Sequence, residues 1–225
     1  MGMKKVKWAV FIVAGIFLLA ACSNQSAESS SPEAAVVAYL EGLRDGDFDC
    51  MLAVLPDEQA IAANREYFIA LGTPPAGLTD ENYSLEEIDG FIAYLNWLLE
   101  HFQSPLSPYD FQSLEVVGFI PEEYFGEIYL SERNQYVLSN QAQRWGADQL
   151  VSRVAIFELG GKRYMMFVDV ANFGGEWRIL MFGGNLSMLL GMSWQARGII
   201  PPEFVDEFAS EFLGVTDLET VLFLP

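Results

Sequence analysis

Val151-Ser152-Arg153-Val154-Ala155-Ile156-Phe157-Glu158-Leu159-Gly160-Gly161-Lys162-Arg163-Tyr164-Met165-Met166-Phe167-Val168-Asp169-Val170 is the stretch that decides the fold. Two runs rich in β-branched and aromatic residues flank a Gly-Gly pair. That is the pattern of a two-residue hairpin, because glycine enters the left-handed conformations such turns require at little steric cost. Strands are predicted over Val151 to Leu159 and Arg163 to Val170. A third, Glu176 to Phe182, follows Asn172-Phe173-Gly174-Gly175, and the three make an antiparallel meander. Side chains of a strand alternate between faces. Tyr164, Met166, Val168 and Val170 therefore share one face of the middle strand, and Met165, Phe167 and Asp169 the other. In the third strand Trp177, Ile179 and Met181 alternate with Arg178, Leu180 and Phe182. Both faces are largely apolar, so helices on one side alone would leave a greasy face exposed, and that second face must meet something.

The rest of the chain supplies helices. Ser31-Pro32-Glu33 opens one, with serine as N-cap, proline at the first helical position and glutamate favoured by the helix dipole. Val36, Val37, Leu40 and Leu43 then fall on one face, and Gly46 ends the helix. Asp47 is placed to cap a second, short helix from Phe48 to about Leu55. Asp45, Asp47 and Asp49 have the alternate spacing of a calcium loop, but Cys50 stands where that loop needs glycine and Pro56 where it needs a bidentate glutamate. Residues 57 to 105 read as a helical insertion: a helix from Glu58 to Leu71, a Gly/Pro break at 72–77, then a Ser84–Glu87 capping box. The box opens a stripe of Ile88, Phe91, Ile92, Leu95, Leu98, Leu99 and Phe102. Leu114 to Ile120 reads as a strand closed by Pro121, Ser131 to Trp145 as a helix, Gly183 to Gly191 as a tight turn into one apolar helical turn. A last helix starts at Pro201-Pro202-Glu203, carries Phe204, Phe208 and Phe212, and stops at Gly214.

The fold class expected is α+β, a curved antiparallel sheet packed on N-terminal helices in a cone-like arrangement. A single domain is expected over residues 32–225, since 52% of the chain is hydrophobic and 17 Phe, 9 Tyr and 5 Trp supply bulky core material. With one histidine, His101, a His-based metal site or acid-base pair lacks partners, and no metal or cofactor is expected. Cys50, in an apolar run, reads as a small hydrophobe rather than a nucleophile.

The N-terminus carries an address. Lys4, Lys5 and Lys7 precede an apolar run from Trp8 to Ala21, too short to span a bilayer comfortably, and it closes on Leu19-Ala20-Ala21-Cys22. These residues resemble a bacterial lipoprotein signal. The resemblance implies that residues 1–21 are a signal peptide and that Cys22 is the lipidated N-terminus, carrying palmitate-like acyl chains on the extracytoplasmic face of the cell membrane. Two chains suffice for stable anchoring, at about 0.8 kcal/mol per buried methylene. Residues 22–31, polar and small, then form a flexible tether. The formal net charge is −19, and loss of the three signal lysines takes the mature chain to −22. Such a field repels nucleic acid, which is not an expected partner.

Residues 31 to 49, Ser-Pro-Glu-Ala-Ala-Val-Val-Ala-Tyr-Leu-Glu-Gly-Leu-Arg-Asp-Gly-Asp-Phe-Asp, followed much later by the meander, resemble small lipoproteins of the nuclear transport factor 2-like superfamily. Residues 160 to 170 and 177 to 186 are similar to uncharacterised lipoproteins of gut-type Gram-positive bacteria. The resemblance implies a cone, a curved sheet wrapped around helices, from which the helical insertion departs. No catalytic Asp-His pair carries over.

Three functions follow. The first is non-enzymatic binding of a small apolar ligand by Tyr164, Met166, Trp177 and Met181, with core filling as the plainer role for the methionines. The second is a protein-interaction module whose second sheet face serves a homodimer or another partner. The third is a carboxylate-dependent enzyme built on Asp169, a residue that more commonly pairs with a neighbouring Arg153 or Arg178. The reading adopted is a membrane-anchored, non-catalytic binding lipoprotein.

Overall fold

The computed structural model describes residues 29–70, 111–191 and 199–225. The Gly/Pro break at 72–77, the Ser84 capping box, the apolar stripe after it and His101 lie outside the described residues, as do Cys22 and the residues before it. The fold is α+β, with an antiparallel sheet in the order β1-β2-β3-β4 and a short β5 paired to β3.

The hairpin that opened the sequence reading is the centre of the sheet. Strands β2 (Gln149–Leu159) and β3 (Lys162–Phe173) pair from Gln149↔Asn172 to Leu159↔Lys162. Gly160 and Gly161 both turn at positive φ, 60° and 70°, as a tight hairpin with right-handed strand twist demands. The second turn is tighter than the sequence suggested. Asn172 and Phe173 belong to β3, and only Gly174-Gly175 turn into β4 (Glu176–Phe182). Two side chains hold that turn: Asp148 Oδ2 accepts from the Gly174 amide (2.9 Å) and Asn172 Oδ1 from the Gly175 amide (2.8 Å).

Helix α1 (Pro32–Asp45) is capped as expected, with Ser31 Oγ accepting from the Ala34 amide (3.1 Å) and Gly46 in the left-handed region. It lays Ala35, Val36 and Leu40 against Ala155, Phe157, Met166, Val168, Val170 and Ile179 on one sheet face. Helix α2 (Phe48–Ala53) is capped by Asp47 (Oδ1 to the Cys50 amide, 3.0 Å), while Asp45 pairs with Arg44 and Asp49 is exposed. Cys50 is half-buried. Helix α3 (Glu58–Ala70) starts under an Asp57 cap.

The second sheet face is covered by the chain itself. Strand β1 (Glu115–Phe119) leads to α4 (Gly126–Leu130), α5 (Glu132–Arg144, capped by Ser131), α6 (Gly184–Leu189) and α7 (Val205–Phe212), which follows β5 (Ile199–Ile200). Phe125, Tyr129, Leu138, Ala142, Leu186, Val205, Ala209 and Leu213 pack there on Leu150, Val154, Ile156, Met165, Phe167 and Ala171. Each large side chain buried in this way contributes about 1.5–3 kcal/mol. The second face, one place the sequence reading offered to a homodimer or another partner, is packed from within, since strand alternation shows that a face needs a cover but not which segment provides it. The phenylalanines of the last helix are placed differently from expectation as well. Phe204 precedes α7 and is exposed, Phe212 is exposed, and Val205, Ala209 and Leu213 make the inward stripe. Phe208 is half-buried, edge-on to Phe167 and stacked on Phe212.

Both sheet edges are engaged by irregular backbone. Phe119 on β1 exchanges two hydrogen bonds with Phe223 (2.9 and 3.2 Å). On β4 the Trp177 amide donates to the Ser29 carbonyl (3.1 Å), the Ser29 hydroxyl donates to the Trp177 carbonyl, and the Ile179 amide donates to the Val54 carbonyl (2.8 Å). An edge with its donors occupied offers little for a foreign strand to pair with.

Candidate functional site

Asp169 is the most unusual side chain the described residues contain. It projects from the middle of β3 into the second face, opposite Ser152 of β2 and Met181 of β4, and is 1% exposed. An isolated buried carboxylate costs several kcal/mol unless hydrogen bonds replace its water. Here two donors do so. The Ser152 hydroxyl donates to Oδ1 (2.7 Å), and the Asn185 backbone amide donates to Oδ2 (2.8 Å). Burial nonetheless dominates and raises the Asp169 pKa to about 6, with the bonds from Ser152 and Asn185 working against it.

The surroundings form a closed ring. Strand β1 has ended before reaching Ser152, which leaves the Ser152 amide without a ladder partner, and the Tyr129 hydroxyl accepts from it (2.9 Å). The Tyr129 carbonyl, at the end of the short helix α4, accepts from Asn134 Nδ2 (2.8 Å). Asn134 Oδ1 accepts from Asn185 Nδ2 (2.6 Å), and Asn185 returns to Asp169. Five residues from β2, β3, α4, α5 and α6 are joined in this way. Tyr129 has its pKa raised, mainly by burial.

Gly183-Gly184 now has a physical reason. Helix α6 has no side chain at its N-cap, Gly183, and the Asp169 carboxylate supplies the missing acceptor from across the sheet. A Cβ on Gly184 would lie 2.3 Å from Asp169 Oδ1, and the residue sits at φ +46°, so glycine is required both by space and by backbone. The two glycines make room for a carboxylate of the chain itself.

Arg153 and Arg178 do not pair with Asp169. Strand alternation puts Arg153 on the opposite face from Ser152, where it binds Glu33 of α1 and Glu122. Arg178 binds Asp57 and Glu176 (2.9 Å for the latter) and lies over the Phe173 ring. Each arginine fastens a helix start or a turn to the sheet, and its acidic partners offset the cost of burying most of its charge.

Of the residues proposed to line a ligand site, three lie together. Met166 is buried beneath α1, Tyr164 stacks on Phe157 with ring centroids 5.3 Å apart, and Trp177 is half-buried on the same face. Met181 is parted from them. A register shift between Asp169 and Val170 puts a bulge in β4, so Phe182 joins Trp177 and Ile179 on the α1 face, and Met181, opposite Asp169, is 40% exposed. A bulge shifts alternation by one residue and leaves no sequence mark here. Ser152, Tyr129, Asn134 and Asn185 were not singled out from sequence. The signal for Ser152 was a polar residue between Leu150 and Val154 on one strand face. Among the described residues no group of three or more His, Cys, Asp or Glu side chains could hold a metal ion.

No family model and no curated relative matches the chain. A solved structure similar to it is a cystatin-like protein from Ruminococcus gnavus, 16% identical, with a TM-score of 0.43; the match covers 68% of this chain and 41% of that one. The aligned part is therefore less than half the length of that protein, and nothing about function follows from the likeness.

Proposed function

We propose that this chain is an extracytoplasmic lipoprotein, anchored through Cys22, whose α+β domain binds a partner without catalysis. The observation that carries the non-catalytic part is the state of Asp169. It is the carboxylate that the sequence nominated for acid-base work, and it is closed to solvent with both oxygens occupied by Ser152 and Asn185. A general base must reach the proton it abstracts. The anchor rests on Leu19-Ala20-Ala21-Cys22 and the basic, apolar segment before it.

A protein partner is favoured over a small apolar ligand. Met166 and Tyr164 are packed by Phe157 and the α1 cluster, so a ligand on that face would have to displace core. Intact-mass analysis of the membrane-extracted protein tests the anchor, with a diacylglyceryl adduct on Cys22 as the expected result. Native mass spectrometry of the mature chain freed of its lipid tests the binding. A small adduct lost on denaturation would restore the ligand reading, and a doubled mass would identify the partner as a second copy.

A further inference from the structure

Helix α7 turns Val205 and Ala209 inward, with Leu213 after them, and leaves a row of phenylalanines at its side. Phe208 is half-buried and held edge-on against the buried Phe167, and Phe212 stacks on it with ring centroids 4.5 Å apart. Phe212 is 45% exposed, and Phe204, four residues before Phe208, is 53% exposed. Two partly bare rings beside a third that packing has fixed make an apolar surface whose burial a partner would complete. Residues three and four apart on a helix are neighbours, so Glu207 borders Phe204, and Glu211 borders Phe208. The helix dipole favours Asp206 and Glu207, which lie in the first turn. It disfavours Glu211, next to last in a helix whose final turn holds no basic residue. Glu207 and Glu211 are moreover exposed like charges at the i, i+4 spacing, which repel each other. Among the described residues neither is in an ion pair, so the chain offers these two carboxylates no cation there.

We propose that this side of α7 docks a basic amphipathic helix of a protein partner, whose apolar side chains cover Phe204, Phe208 and Phe212 and whose Lys or Arg side chains pair with Glu207 and Glu211. Surface and partner chemistry both rest on the partner-binding reading given above. Charge decides the occupant. A second copy of the chain would set one acidic border against another, because Glu203 and Asp206 are exposed as well and α7 carries no basic residue to meet them. An anionic lipid surface is repelled for the same reason. Aromatic rings at the centre and charges at the rim are the ordinary anatomy of a protein interface, and opposite charge at the rim fixes register and speeds encounter. A helix is the occupant that presents apolar and basic side chains on adjoining faces, at the same spacing of four that sets out the phenylalanines.

The probe is a synthetic peptide of about 18 residues, with leucine on one helical face and lysine on the other, carrying a fluorophore and titrated with the mature chain freed of its lipid. Saturable binding is expected, weakened about tenfold by Phe212→Ser. Glu207→Gln combined with Glu211→Gln should weaken it about tenfold at low salt, and that loss should shrink as salt is added. These side chains are exposed, so the variants keep the fold, and Phe208, which holds Phe167, is left in place. Tyr136→Ser, at an exposed site on α5, should leave the affinity unchanged. An affinity that Phe212→Ser does not alter overturns the surface, and one that the paired Gln changes do not alter overturns the basic partner. Absence of binding to a chain of bare native mass overturns the docking surface and leaves the partner-binding reading standing, whereas a small adduct on that mass removes the reading itself. A doubled mass abolished by Phe212→Ser would give the same surface to a second copy and overturn the basic partner.

Discussion

Replacing Asp169 by asparagine should stabilise this protein at neutral pH and remove part of its pH dependence. The carboxyl group has an ordinary value of 3.8 and is raised to about 6 in the fold. A pKa raised on folding means that the folded chain holds the proton more tightly than the unfolded one between pH 4 and 6. The contribution of Asp169 is therefore most favourable below about pH 4 and is lost as pH rises through 6. One unit is 1.36 kcal/mol, so at pH 7.5 the buried anion costs about 3 kcal/mol relative to its protonated form. Asparagine keeps the shape without the charge: its carbonyl can accept from the Asn185 amide, and its NH2 can donate to the Ser152 hydroxyl, which turns to receive it. Some geometry is lost, at about 1 kcal/mol. The expected net gain at pH 7.5 is about 2 kcal/mol, or roughly 4–8 °C in Tm for a domain of this size. At pH 4.5 the two proteins should differ little, or the order should reverse. Urea denaturation of both from pH 4.5 to 8 measures this, and taking the difference cancels the many other carboxylates. An asparagine variant less stable by more than about 1 kcal/mol at pH 7.5, or one with the same pH slope as the parent, would falsify the account of Asp169 as a buried, costly fastening.

Tyr129→Phe removes the acceptor for the Ser152 amide and should cost about 1–3 kcal/mol by denaturant titration, since the amide stays buried without a partner. Gly184→Ala should do more, with a loss of several kcal/mol or no soluble protein, because the added methyl meets Asp169 Oδ1 at 2.3 Å in a left-handed backbone; combining it with Asp169→Gly, which vacates that space, should recover part of the loss. Arg153→Met breaks its pairing with Glu33, both partners being largely buried, and should cost about 3 kcal/mol, with circular dichroism at matched denaturant reporting the loss. A loss below 0.5 kcal/mol there would mean that the pair is solvated.

Much of the architecture was legible because local rules act over short spans. The Gly160-Gly161 hairpin, the Ser31 cap and the Asp47 cap each depend on neighbours within a few residues, and each appears where the residues place it. The α+β class with an antiparallel sheet follows from the period-two runs. The bulge in β4 was not legible: Leu180 and Met181 read as ordinary strand residues, and only pairing against Val168 and Val170 shows that alternation slips by one.

The sequence by itself determined the elements and the apolar character of both sheet faces, since propensity and capping are written in adjacent residues. Tertiary structure alone decided what those elements meet. That α4 to α7 cover the second face, that Asp169 caps α6 instead of pairing with Arg153 or Arg178, and that Ser29 closes the β4 edge are contacts between residues 16 to 148 apart. Such partners are selected by the burial of the whole chain, where a donor finds the acceptor that packing leaves beside it, and no local pattern records which one that will be.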